Sequence, residues 1–231
     1  MENAVSESML VAIDGPAGSG KSSVSREAAS QLGFGILDTG AAYRALAWAA
    51  LEAGVHLDDE EQILELLDRW RYKITLLGEQ QVTVALSDTA RATDVTALIR
   101  TPELSGQVSR VSKHPAVRER LNAMFRELVA TSGLPGVVIE GRDITTVVAP
   151  NAPVRILMTA SPEVRAARRA GELQGLTREQ VLADIEARDA KDTLVVDFMN
   201  PAPGVTLVDT SDLDFAQSVQ AVIDIVREAQ A

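Results

Sequence analysis

The sequence contains no cysteine, which excludes disulfides, thiolate metal sites and a cysteine nucleophile. Its two histidines, His56 and His114, are far apart in the chain, a poor basis for a histidine metal centre. Lysine is scarce: four of the 22 basic residues are Lys and the rest are Arg, the side chain suited to bidentate grips on phosphate and carboxylate. Positive charge is outnumbered altogether. A formal net charge of −11 argues against a broad electrostatic footprint for DNA or RNA. No apolar run approaches bilayer length, and the opening MENAVSES lacks the basic-then-apolar order of a signal peptide. Repeats and low-complexity linkers are also missing. The expectation is a soluble cytoplasmic chain of 231 residues folded as one α/β domain, with neither nucleic acid nor membrane as partner and a monomer by default.

Against these absences stands one dense stretch, Met9 to Ser23, MLVAIDGPAGSGKSS. Met9 to Ile13 is an apolar run of strand length, and Lys21 opens a helix-capable segment. Between them Gly15, Gly18, Gly20, Lys21 and Ser22 fill the phosphate-loop pattern G-x-x-x-x-G-K-[ST]. Glycines let the backbone turn its N–H groups inward around phosphate oxygens. The helix that follows adds its N-terminal partial charge. Lys21 can then reach the terminal phosphates, and the Ser22 hydroxyl can hold Mg²⁺. The expected donor-binding set is Gly15, Pro16, Ala17, Gly18, Ser19, Gly20, Lys21, Ser22 and Ser23, for a nucleoside triphosphate with Ser22 on the metal.

Along the chain the pattern predicts a helix over Ser22–Leu32, stopped by Gly33, and a short strand over Phe34–Leu37. Helices follow over Ala41–Ala53 and Asp58–Trp70. Residues 72–76 and 81–85 alternate around Gly78, predicting an antiparallel hairpin and hence a subdomain inserted between the second and third parallel strands. One short helix is predicted over Pro102–Val111 and a longer one from His114-Pro115 to about Ala130. Strands are predicted over Val137–Glu140, Val154–Thr159 and Val205–Val208. Helices are expected from Ser161-Pro162 to about Gly171, from the Thr177/Gln180 capping box to about Lys191, and over Phe215–Ala229. The sum is a doubly wound parallel sheet of about five strands with helices on both faces. Ligands in such sheets lie beyond the carboxyl ends of the strands, where the phosphate loop, Asp38-Thr39-Gly40 and Gly141-Arg142-Asp143 all fall.

Phosphoryl transfer needs positioned anions and charge stabilisation more than a covalent group, so arginines are expected to gather in that crevice. Arg44 follows Asp38-Thr39-Gly40, Arg142 follows a strand end, and Arg165, Arg168 and Arg169 precede a glycine-bounded loop able to act as a lid. Arg188 and Asp192 share a helix face at i, i+4. Simpler roles exist for several of them. Arg188 can pair with Asp184 or Asp192 at the surface, Arg142 with Asp143, and Arg169 can face solvent.

The order IDGPAGSGKSS, LDTGAAYR, DVTALIRT, VSKHPAVR, VIEGRDITTVV, VRILMTAS and IEARDAKD resembles the bacterial cytidylate kinases over nearly the whole chain. LDTGAAYR together with EGRD is far more specific than the phosphate loop alone. The resemblance implies the P-loop kinase fold and transfer of the ATP γ-phosphoryl group to CMP or dCMP with Mg²⁺. It also implies a nucleoside-monophosphate subdomain at about 40–111 and a lid at about 165–180. By the same resemblance Arg44 and Arg142 grip the acceptor phosphate, Ser109, Arg118 and Asp143 read the cytosine, and Arg188 and Asp192 hold the ribose. Asp38, Thr39 and Tyr43 of LDTGAAYR join the acceptor side. Cytosine offers N3 and O2 as acceptors and an amino group as donor, so an arginine plus a carboxylate is a complementary pair. Val195 stands where many members carry arginine, Thr145 where glycine is common, and Ala149-Pro150-Asn151 where Phe-Pro-Asp is more usual.

The implied mechanism is direct in-line transfer without a phospho-enzyme. Lys21 and the loop amides hold the donor, Arg165 or Arg168 neutralises charge on the transferred group, and lid closure excludes water. Two alternatives remain at this level: a P-loop kinase for another small acceptor such as UMP, AMP or shikimate, and a GTP-binding regulatory module. The chain contains no Asn-Lys-x-Asp guanine motif.

Overall fold

The computed structural model describes residues 8–172, 177–193 and 198–231, which divide into two compact units. One comprises Met1–Ile36 with Val129–Ala231, the other Leu37–Leu128.

The first unit is built on parallel strands β1 (Met9–Asp14), β6 (Gly136–Gly141), β7 (Val154–Thr159) and β8 (Thr206–Asp209). With β2 (Gly35–Asp38) they form one sheet in the order β2-β6-β1-β7-β8. β1 is central, paired with β6 from Met9↔Gly136 to Asp14↔Gly141 and with β7 from Val11↔Val154 to Asp14↔Leu157. Both partners are almost wholly buried, which is why their sequences read as continuous apolar runs rather than alternating ones. Helices α1 (Lys21–Leu32) and α9 (Phe215–Gln230) cover one face, packing Val24, Ala28, Val219, Val222, Ile223 and Val226 against Val11, Ile13, Val138 and Ile156. A Cβ on Gly136 would come within 2.6 Å of the Phe34 ring, so a larger residue at that strand position would have to displace the ring. Helices α7 (Pro162–Glu172) and α8 (Arg178–Thr193) pack together through Ala166, Val181 and Ile185. The Thr177/Gln180 capping box is present in both directions, at 2.9 and 3.3 Å.

The second unit holds the Ala-rich helix α2 (Thr39–Glu52), α3 (Glu60–Arg69), two short helices α4 (Pro102–Ser105) and α5 (Val108–Ser112), and most of α6 (Pro115–Ala130). Asp38 caps α2 by accepting from Ala41 N at 2.9 Å, and Asp59 caps α3. The expected hairpin is there as β3 (Arg71–Ile74) and β4 (Val82–Ala85), turning at Gly78 with φ 68°. A third strand, β5 (Thr93–Asp94), completes an antiparallel sheet that the sequence pattern showed only in part. The single helix expected over 102–111 is two, because Gly106 and Gln107 interrupt it. Residues 40–111 fall inside this unit.

Candidate active site

The phosphate loop joins β1 to α1. Gly18 and Gly20 take φ of 78° and 86°, a backbone region that L side chains rarely adopt. At Gly15 the constraint is contact: a Cβ would sit 2.1 Å from the Met158 carbonyl oxygen. Gly20 is the N-cap residue of α1 and offers no side-chain acceptor to the first N–H groups of the helix, the arrangement that suits an anion. Lys21 and Ser22 begin the helix, and both are held by one carboxylate. Lys21 Nζ pairs with Glu140, and Ser22 Oγ donates to Glu140 Oε1 at 2.7 Å. Glu140 is buried near the carboxyl end of β6. Hydroxyl and carboxylate oxygens side by side suit a hard cation. No group of three or more His, Cys, Asp or Glu side chains able to hold a metal occurs among the described residues. That donor set fits Mg²⁺, which keeps several waters and takes one or two protein oxygens plus substrate phosphate.

The carbonyl groups of the loop are also arranged. A loop that turns its N–H groups inward turns carbonyls outward, and three alternate ones are taken by arginines. Arg142 donates to Gly15 O, Arg165 to Ala17 O at 3.1 Å, and Arg168 to Ser19 O at 3.0 Å. Arg165 is 3% exposed and forms an ion pair with Asp189 of α8. Arg168 also donates to Thr210 Oγ1 and Thr210 O, which fixes it against the chain following β8. A cavity of about 270 Å³ opens beside it, lined by Gly18, Gly20, Ser23, Leu213 and Phe215. On the far side of β1, Asp14 accepts from Ile144 N, Thr145 N and Thr145 Oγ1 at 2.8, 2.8 and 2.6 Å. Burial raises its pKa above the ordinary 3.8, and the Thr145 bonds oppose that rise. These bonds hold a π-helical turn over Ile144–Val148, directly after Arg142 and Asp143.

In the second unit Arg44 Nη2 donates to Asp38 Oδ2 at 2.9 Å while Asp38 Oδ1 caps α2. A Cβ on Gly40 would come within 3.0 Å of Arg44 Nη1, so the glycine leaves room for the guanidinium. Tyr43 meets the Phe125 ring at 6.3 Å between centroids. The Tyr72 hydroxyl is buried without a hydrogen-bond partner; burial raises its pKa well above 10, and the nearby Asp38 charge adds to the rise. Ser109 lies on α5, Arg118 on α6, and Thr39 in the first turn of α2.

The site residues expected from the sequence thus fall into groups. Lys21, Ser22, Arg142, Arg165 and Arg168 gather on the loop, while Asp38, Thr39, Tyr43 and Arg44 share the start of α2. Arg188 and Asp192 are on α8, and their side chains, like Val195, lie outside the described residues. Glu140, Asp14 and Asp189 complete the loop's surroundings. None of the three was assigned a role from the sequence; a position at a strand end was the available signal for the first two, and nothing in the spacing pointed to Asp189.

The chain matches the cytidylate kinase family over residues 11–228. It is 41% identical over 235 residues to a cytidylate kinase of Streptomyces avermitilis, covering 100% of this chain and 99% of that one. This chain belongs to the cytidylate kinase family. A cytidylate kinase of Mycolicibacterium paratuberculosis is 42% identical over 229 residues, 97% of either chain, and one of Carboxydothermus hydrogenoformans is 41% identical over 223, 94% of this chain and 97% of that one. The crystal structure of an uncharacterized protein from Eubacterium ventriosum shares the fold at a TM-score of 0.53 and 12% identity, covering 95% of this chain and 98% of that one. As a cytidylate kinase family member the chain is a phosphotransferase, a nucleotide-binding enzyme of P-loop kinase fold. No helix among its described residues is long and apolar enough to cross a membrane.

Proposed function

We propose that the enzyme transfers the γ-phosphoryl group of ATP to CMP or dCMP, giving CDP or dCDP and ADP, and that it does so in the cytoplasm as a monomer. One observation supports this above the others: the phosphate loop with Lys21 and Ser22, and the Asp38–Arg44 segment, both lie inside a family match that runs through 11–228.

The loop amides and Lys21 bind the donor phosphates, and the cavity beside Arg168, Leu213 and Phe215 takes the rest of the donor nucleotide. Lys21 then exchanges its bond to Glu140 for phosphate oxygens. Ser22 and Glu140 would hold Mg²⁺, whose positive charge would offset that of the donor phosphates. Arg44 and Arg142 hold the acceptor phosphate as rigid planar forks. Ser109, Arg118 and Asp143 read the cytosine edge, with Arg188 and Asp192 on the ribose. Arg165 and Arg168 keep the loop in its binding conformation and supply positive charge behind the transferred group. The acceptor phosphate is already anionic at neutral pH, so no general base is needed. The lid expected over about 165–180 includes residues 173–176, which lie outside the described residues, and its closure would exclude water.

A coupled ADP-release assay with ATP and Mg²⁺ against CMP, dCMP, UMP, AMP and GMP tests the reading. Turnover concentrated on CMP and dCMP is expected; turnover only with another acceptor would overturn the cytosine assignment. Arg44→Ala is expected to raise the KM for CMP at least tenfold, with much less effect on that for ATP.

A further inference from the structure

Two of the contacts of Arg142 restrain its guanidinium in different ways. One edge of the guanidinium donates to Gly15 O. One face lies over the Phe198 ring, with Cζ 4.6 Å from the ring centroid. Phe198 is itself 1% exposed, among the largest fully buried side chains of the chain. The two contacts restrict different motions. The carbonyl fixes rotation of the guanidinium within its plane, and the ring fixes the tilt of that plane.

The chemistry of the two surfaces matters here. Guanidinium carries its five N–H donors in the plane of the group, so stacking consumes none of them. The face of a phenyl ring is its negative side, and it attracts a cation only through that face. An aliphatic side chain of similar volume would fill the space without orienting the charge. An arginine that must meet a phosphate with two parallel N–H bonds loses much of its advantage when its plane is free to rock, because bidentate recognition depends on geometry as well as charge.

We propose that Phe198 is a positioning residue for acceptor binding: its ring sets the plane of Arg142 so that the guanidinium meets the acceptor phosphate as a fixed fork. This rests on the assignment of Arg142 to the acceptor made above. Phe198 touches no substrate, and it acts only through the arginine. It differs in kind from Arg165 and Arg168, which hold Ala17 O and Ser19 O of the loop, since it constrains the acceptor grip and leaves the donor grip to those arginines and Lys21.

Steady-state kinetics on Phe198→Leu, Phe198→Tyr, Arg142→Lys and the Phe198→Leu/Arg142→Lys double variant test it. Phe198→Leu is expected to raise the KM for CMP about tenfold and that for ATP less than about twofold. Phe198→Tyr keeps the aromatic face and is expected to restore most of the CMP affinity. Lysine has no planar face to orient, so in the Arg142→Lys background the leucine substitution is expected to add less than about twofold. An unchanged KM for CMP, equal rises for both substrates, a tyrosine variant no better than the leucine one, or a full tenfold effect on top of Arg142→Lys would each overturn the proposal. Phe198→Met replaces Phe198→Leu in the same comparisons if the leucine variant does not fold. Failure of the wild-type enzyme to use CMP at all would instead remove the acceptor assignment, a result visible before any variant is made.

Discussion

Asp14 and Asp94 leave the ordinary carboxylate pKa of 3.8 in opposite directions. At Asp14 burial favours the neutral acid, so the folded chain takes up a proton there more readily than the unfolded one. Its contribution to stability is full below 3.8 and is lost as pH rises through the raised folded value. At Asp94 the Gln81 amide, then the Thr96 hydroxyl and N–H, stabilise the anion and hold the pKa at about 2. That contribution is full above 3.8 and disappears as pH falls through about 2. Carboxyl-carbon NMR titration is expected to show Asp14 titrating above 3.8 and Asp94 near 2; a reversed order would contradict the environments described. At this scale the sequence was most legible where a residue type is tied to local spacing. Gly15, Gly20, Lys21 and Ser22 announce the loop because four close positions carry the whole chemistry. Glu140 is 118 residues from Ser22 and Thr145 is 131 from Asp14, so those bonds exist only once β1 and β6 are paired.

Helices and strands were readable where a long period or a cap repeats the same message. The buried run of β7, the Thr177/Gln180 box of α8 and the alternation around Gly78 are examples. β5 escaped because two residues, Thr93 and Asp94, carry no period at all. The turn over Ile144–Val148 escaped because ITTVV has β-branched composition, while the three bonds from Ile144 and Thr145 to the distant Asp14 impose the helical path. Between α7 and α8 the decisive contact is again remote in sequence: the buried Arg165–Asp189 pair. Asp189→Ala leaves the guanidinium buried and without its partner, at a cost of about 3–5 kcal/mol. Calorimetry is expected to show the unfolding temperature lowered on the order of 10 °C. A shift of only a degree or two would mean that Arg165 finds other partners or reaches water.

At the scale of the whole molecule, the parallel sheet of about five strands followed from the alternation of strands and helices. The bounds of the second unit did not. The inserted segment was expected over about 40–111, and the compact unit extends to Leu128 because α6 buries Val117, Leu121 and Phe125 and sets the Phe125 ring beside Tyr43. Periodicity identifies the buried stripe of such a helix but not the element it will cover.

The stacked Trp70–Tyr72 pair, 5.3 Å between centroids, belongs to an uneven distribution of chromophores. Trp48, Trp70, Tyr43 and Tyr72 are all the tryptophans and tyrosines of the chain, and each falls within Leu37–Leu128. Intrinsic fluorescence therefore follows that unit alone, while far-ultraviolet dichroism follows both. In Asp189→Ala, where the lost contact lies in the other unit, the ellipticity is expected to fall at a lower temperature than the emission changes, and coincident curves would mean that the two units melt as one. The same distribution makes the unmodified enzyme its own optical reporter for whatever binds beside Arg44, and leaves the unit that carries the phosphate loop without an indole or phenol of its own.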